Sequence, residues 1–455
     1  MLLDNIKQEN SKIFIFGINK VSIGLAKYLA DNKISVIISD IDKDYVEEHN
    51  IEFSGNEFVS FVDVDKIDFN VAQYCVLCKD ILLEKNDLDI FLTRLNNIKN
   101  KVYLDVEFIS MLFSQNKYIG IIGESYNIIL NSMISNIFEN SENNNIALSS
   151  NYVDIIKNIT FNNTIFYEAL QNCKIQYLQQ MSFDILAILD VDCGIKKEDI
   201  VNYILTNQNK DSVIIINVDN EELKEIYDTI GDINCKIVPI STNKMLNDGI
   251  SYINGTVYNY FENNNESHDI TLNENYVGNI NGVSLLSSCL IGKYCNVDTS
   301  IIVESINNFS GVDNYLHCIE HVENIQFINN IGADTEKLFY EPFNVFDNIY
   351  VIFIANDKQN DLSYIQNCIK KTENIIIVDV CGLLNIEDVN DKINIFKYSN
   401  LKDAFNYIIK QINFEDKEIN TTVLLSPLVI DKMNCVYYND YVKEYKELIK
   451  GLNKC

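Results

Sequence analysis

Short apolar runs separated by longer amphipathic stretches recur along the whole chain. Residues 12–16 (Lys-Ile-Phe-Ile-Phe) and 35–39 have the length and continuity of buried strands, and apolar positions from Ile23 to Leu29 fall at helical spacing between them. Runs at 74–77 and 102–104 extend this first unit. A second unit starts near 117. Its strand at 118–122 is followed by a turn at 123–127, a helix over 128–138, and strands at 164–167, 185–191 and 213–217. Asn-rich patches at 140–145 and 263–265 read as loops. A third unit starts near 300, with strands at 325–329, 349–355, 374–380, 393–397 and 421–425 and helices at 401–412 and 440–452. Alternation of this kind predicts an α/β protein with mostly parallel, helix-covered sheets. We expect three domains, 1–112, 113–300 and 301–455.

Composition narrows the chemistry. The 455 residues suit three domains, and the formal charge of −29 excludes the basic surface that nucleic acids and anionic membranes require. No apolar run reaches the ~18 residues of a membrane span. The start, MLLDNIKQENSK, has no apolar signal core, so a cytoplasmic location is expected. Arg94 is the single arginine, leaving few bidentate clamps for phosphate or carboxylate. The one close cysteine pair, Cys75 and Cys78, sits in an apolar strand and lacks two further ligands at zinc spacing, so buried thiols are the expectation.

Three places have chemical potential. The turn Gly17-Ile18-Asn19-Lys20-Val21-Ser22, with Asp40 ending the next strand, suits a nucleotide: a helix N-terminus attracts phosphate and a carboxylate can hold a ribose or base. It equally suits an ordinary strand-to-helix turn. The turn at 120–129 lies between strand and helix, where phosphate loops lie. Asp190 and Asp192 end another strand and could join Glu168 in an acidic metal site.

The 120–129 turn resembles that of the Mur ligases, whose loop runs Gly-Ile-Thr-Gly-Thr-Asn-Gly-Lys-Ser/Thr-Thr. Here it reads Gly120-Ile121-Ile122-Gly123-Glu124-Ser125-Tyr126-Asn127-Ile128-Ile129. Further motifs follow in family order and resemble the D-glutamate-adding branch most. They are Leu104-Asp105-Val106-Glu107-Phe108, Asn151 at a substrate contact, Phe166-Tyr167-Glu168 at a magnesium-binding strand end, and Asn217-Val218-Asp219-Asn220 on the adenine side. Asn281 keeps part of a second adenine-side motif, Phe309-Ser310-Gly311-Val312 and Ile325–Asn329 match the last domain, and Leu424-Leu425-Ser426-Pro427 matches the closing motif, followed by Tyr438 and Tyr445. The resemblance implies a Rossmann-like first domain, a P-loop-type ATPase-like central domain and a Rossmann-like last domain, with ATP and Mg²⁺ as cofactors, a UDP-linked muramoyl precursor and D-glutamate as substrates, and a monomer. It implies an acyl phosphate, formed from ATP, that the amine of D-glutamate attacks to form an amide. Gly17 and Asp40 would then serve the uridine nucleotide.

The sequence departs from this pattern where the chemistry is done. Tyr126 replaces the third glycine, Asn127 the lysine and Ile128 the hydroxyl that holds Mg²⁺. The metal-binding His is Ile195, and the middle-domain Lys that becomes carbamylated is Asn207. A His-Arg pair is Asn314-Tyr315, and an Asp-Ser-Lys that contacts nucleotide and D-glutamate is Asn330-Ile331-Gly332. Cationic contacts to a phosphoryl transition state are worth on the order of 10³–10⁵ in rate. The expectation is a homologue with ligase activity lost or severely impaired. The alternatives are a divergent active ligase, in which Lys196 or Lys197 reaches the phosphates, and a non-catalytic uridine-nucleotide-binding or scaffold protein.

Overall fold

The computed structural model describes residues 2–63, 66, 72–78, 102–141, 146–148, 165–170, 178, 181–191, 196–259, 266–268, 278–355, 374–379, 394–412, 420–431 and 433–452. The chain divides into two compact units, Met1–Glu124 with Glu142–Ile240, and Ser125–Ser141 with Ser241–Cys455. The α/β expectation holds, with three mostly parallel sheets accompanied by helices.

In the first unit, β1 (Ile13–Phe16), β2 (Val36–Ser39), β3 (Val59–Phe61), β4 (Tyr74–Leu77) and β5 (Val102–Leu104) form a parallel sheet in the order β3-β2-β1-β4-β5. Strand order reverses between β1 and β4, and the crevice outside carboxyl ends at such a reversal is where open α/β sheets bind ligands. All four residues of β1 are buried, because helices on both faces leave no wet side for a polar residue. Cys75 and Cys78 are buried thiols, as the apolar run predicted, and burial pushes the Cys75 thiol upward.

The same unit holds parallel strands β6 (Lys117–Ile122), β7 (Ile146–Leu148), β8 (Ile165–Leu170), β9 (Ile185–Ile188), β10 (Val213–Asn217) and the body of β11 (Lys236–Ser241), adjacent in the order β7-β8-β6-β9-β10-β11. Order reverses around β6, so the turn after Ile122 occupies the second switch point.

In the second unit, β12 (Ile250–Ile253) and β13 (Thr256–Asn259) form a hairpin closed by Asn254-Gly255, both at positive φ, and β14 (Glu266–His268) pairs on β13. The third sheet runs β15-β16-β20-β17-β18-β19, built from His317–Val322, Ile325–Asn329, Thr421–Pro427, Ile349–Ile354, Asn374–Val378 and Asn394–Tyr398. Only β15 is antiparallel to its neighbour. The strand core packs against Leu401–Gln411 and Asn439–Leu452, with Phe327, Phe405 and Tyr445 in edge and tilted ring contacts. The Tyr445 hydroxyl donates to the Val423 carbonyl at 2.8 Å, which satisfies a polar group that burial would otherwise penalise. Tyr445→Phe should lower stability by about 1 kcal/mol, read as a lower urea midpoint at unchanged slope.

Candidate functional site

The first switch point is closed by its own side chains. Gly17, at φ +104°, lets the chain leave β1, and its N–H donates to the Ser39 carbonyl at 2.8 Å. Asp40 accepts from the Ile18 N–H at 2.6 Å through one oxygen and from the Asp42 N–H at 3.0 Å through the other. Asn19 caps the helix Lys20–Asp31 by accepting from the Ser22 N–H at 2.9 Å, and the Ser22 hydroxyl accepts from the Asn19 N–H at 2.8 Å. This reciprocal box satisfies a donor that would otherwise face an anion. Gly17 and Asp40 are thus brought together as expected, with the carboxylate holding the turn.

The second switch point begins at Gly120. A Cβ there would lie 3.0 Å from Leu186 Cδ1 and from Phe183 Cδ2, so this glycine serves strand packing. Gly120 is the register partner of Glu168, which aligns β8 with the loop strand. Gly123, at φ +132°, makes the turn. Residues Glu124–Tyr126 form a single 3₁₀ turn, and the helix Asn127–Glu139 follows. The stretch 120–129 carries no Lys or Arg and one carboxylate, Glu124. Tyr126 is only 1% exposed, so its ring fills space rather than opening it. Ile128 has no ligand atom to offer. The Asn127 Oδ1 is enclosed without a hydrogen-bond partner among the described residues, and a buried acceptor oxygen repels an anion.

Downstream, the remaining candidates in this unit serve the backbone. The Asn217 amide donates to the Leu189 carbonyl at 3.0 Å and its Oδ1 accepts from the Asp219 N–H at 3.1 Å. Asp190 accepts from the Asn220 amide at 2.7 Å, while Asn220 caps the helix Glu221–Thr229. The ends of β9 and β10 are therefore tied by amides and one carboxylate. Asn207 donates to the Leu178 and Met181 carbonyls at 3.3 and 3.5 Å, anchoring the end of its helix. Lys197 pairs with the exposed Glu225 at 2.5 Å. Asn151, Asp192 and Ile195 lie outside the described residues, as does the Glu168 side chain.

In the second unit, Gly278 precedes the helix Asn279–Tyr294 at φ +99°. Glu341 reaches this helix start from the helix Glu336–Val345: its Oε1 accepts from the Asn279 and Ile280 N–H groups at 2.5 and 3.3 Å. A carboxylate suits the positive end of a helix. A Cβ at Gly278 would lie 2.8 Å from that same oxygen. Asn281 is buried in the first turn of the helix. Glu341 is 4% exposed, and desolvation pushes its carboxyl above the ordinary 4.5, opposed by the two backbone donors and by Lys337. Sequence reasoning misses Glu341, because a cap supplied from 62 residues away leaves no local signature.

The Asn330-Ile331-Gly332 segment is likewise walled in. A Cβ on Gly332 would lie 2.8 Å from both Tyr315 Cζ and Cys435 Sγ, so the space a lysine would use is filled. Asn330 accepts from the Leu316 N–H and donates to the Leu338 carbonyl, and Asn329 donates to Asn314. Ser426 is fully buried with its hydroxyl unpartnered among the described residues, and Pro427 ends β20 beside Ile354.

At 126–128 the loop offers no cation to a phosphate, and Ile128 offers no oxygen to Mg²⁺. Among the described residues no group of three His, Cys, Asp or Glu could hold a metal ion, and no helix is long and apolar enough to cross a membrane.

The motifs along the chain follow in the order that resembles the Mur ligases. The curated relatives bear out that resemblance and its D-glutamate-adding branch. The chain is 22% identical over 463 residues to the UDP-N-acetylmuramoylalanine--D-glutamate ligase of Rickettsia prowazekii (strain Madrid E), covering 98% of each chain. It is 23% identical over 349 residues to the enzyme of that name from Clostridioides difficile (strain 630), covering 71% of this chain and 72% of the other. A solved pseudomurein peptide ligase type C from Methanothermus fervidus aligns over 97% of this chain and 100% of its own at 13% identity, with a TM-score of 0.48. No family model matches.

Gly120→Ala should destabilise the chain by about 1–3 kcal/mol through overpacking, with the same loss measured in the presence and absence of nucleotide. Glu341 gives a pH signature. Its folded-state pKa is raised, so its contribution to stability is full below 4.5 and is lost as pH rises through the raised value. Urea midpoints of the wild type should therefore fall, relative to those of Glu341→Gln, as pH rises from 4.5 toward neutrality.

Proposed function

We propose that this chain is a Mur-ligase homologue of the D-glutamate-adding kind in which ATP-driven amide formation has been lost. The relatives' names supply the reaction it descends from: joining D-glutamate to a UDP-N-acetylmuramoylalanine acceptor. One observation carries the loss. The stretch 120–129 holds no cation, and a fully packed tyrosine stands where the phosphates need open backbone. Phosphoryl transfer depends on positioning and electrostatic stabilisation, so a loop with neither has nothing to contribute to the transition state. The crowding of Gly332 by Tyr315 and Cys435 supports the same reading at the incoming amino acid's side.

On this reading the chain is a three-domain, monomeric, cytoplasmic protein without a nucleic-acid or membrane partner, bounded near residues 112 and 300. Its remaining capacity is that of a scaffold or a binder of the uridine-linked precursor. The first sheet keeps the strand reversal at which such folds bind ligands, but its Gly17 turn is held by Asp40, Asn19 and Ser22, which favours the scaffold role.

The test is a coupled assay for ADP and amide product with ATP, Mg²⁺, UDP-N-acetylmuramoyl-L-alanine and D-glutamate. The expected result is no product above the enzyme-free control. Sustained multiple turnover that requires all three substrates would overturn the proposal.

A further inference from the structure

We infer that the start of the helix Glu336–Val345 is a built-in latch that holds the former phosphate loop closed without help from a nucleotide. The inference rests on reading 120–129 as a degenerate phosphate loop. Two adjacent loop residues are gripped by two residues of one helix start. The Ser125 hydroxyl donates to Thr335 Oγ1 at 3.0 Å, across 210 positions of sequence. Thr335 is also the N-cap, accepting from the Leu338 N–H at 3.3 Å, so the grip is rigidly based. Two residues on, Lys337 Nζ lies 4.7 Å from the centroid of the Tyr126 ring, the arrangement of a cation–π contact.

Ser125 is 3% exposed and Tyr126 1%, so both contacts work in a shielded setting. The far end of the loop helix is fixed separately: Asn136 and Asn140 donate to Ser305 at 2.6 and 3.1 Å. With that end anchored, opening at Ser125 and Tyr126 must release the latch first. The cation that a phosphate would need is here turned onto an aromatic face, and the hydroxyl that could meet an incoming oxygen is already bonded.

Hydrogen exchange on the full chain, followed by mass spectrometry of peptides spanning 118–130, tests this with Ser125→Ala and Lys337→Met. In the absence of nucleotide, each variant should exchange faster in those peptides by roughly fivefold, well beyond any change in peptides elsewhere in the chain. Equal exchange in wild type and both variants would overturn the latch. So would faster exchange spread evenly over the whole unit, which would mean ordinary packing. Mg·ATP added to the wild type separates the two ideas. Protection of the loop by nucleotide would sink the reading of a degenerate loop, while the latch stands or falls on the nucleotide-free comparison.

Discussion

A parallel strand buried on both faces gives up its polar groups to water only at its ends, and the carboxyl ends at a strand reversal are where a ligand would normally satisfy them. Among the described residues, the strand ends and helix starts of the candidate turns show how that constraint is met. Here the partners are internal. Asp40 holds the Ile18 N–H, and Asn19 and Ser22 close the helix behind it. Asn217, Asn220 and Asp190 knit the ends of β9 and β10. Glu341 takes the donors of Asn279 and Ile280. At these turns the backbone donors are met by the chain's own amides and carboxylates.

The charge inventory explains why such completion suffices. A triphosphate site must offset several negative charges in a shielded setting, and the stretch 120–129 carries no Lys or Arg to do it. Lys197 pairs with Glu225 and Lys337 lies over the Tyr126 face. Hydrogen bonds from backbone N–H groups to amides and carboxylates satisfy the turns without a clustered set of cations.

Much of the fold is legible in the chain. Strands such as Ile13–Phe16, Val213–Asn217 and Ile349–Ile354 are continuous β-branched and aromatic runs, and burial on both faces makes such runs unmistakable. The hairpin strands Ile250–Ile253 and Thr256–Asn259 escape that pattern, because short mixed-polarity segments lack its signal. The helix Asn279–Tyr294 is hidden for a different reason: it is buried nearly all round, so its Ser, Asn and Gly residues show no polar face and hence no period. At the site, the substitutions at 126–128 can be read directly, as can the Asn-x-x-Ser box at 19–22. What cannot be read is what fills the gaps. Tyr315 and Cys435 against Gly332, and Thr335 and Lys337 against the loop, are tertiary partners separated by up to 210 positions.

The packing of Tyr126 has a bearing on what the turn can tolerate. Its ring is one of the largest wholly enclosed side chains in the molecule. Shrinking it to glycine would excavate a void whose cost, about 3–5 kcal/mol for an aromatic, is a large share of a domain's net stability. The tyrosine therefore acts as a keystone: once the turn is packed around its ring, exchange for a small residue is costly whatever role the turn serves.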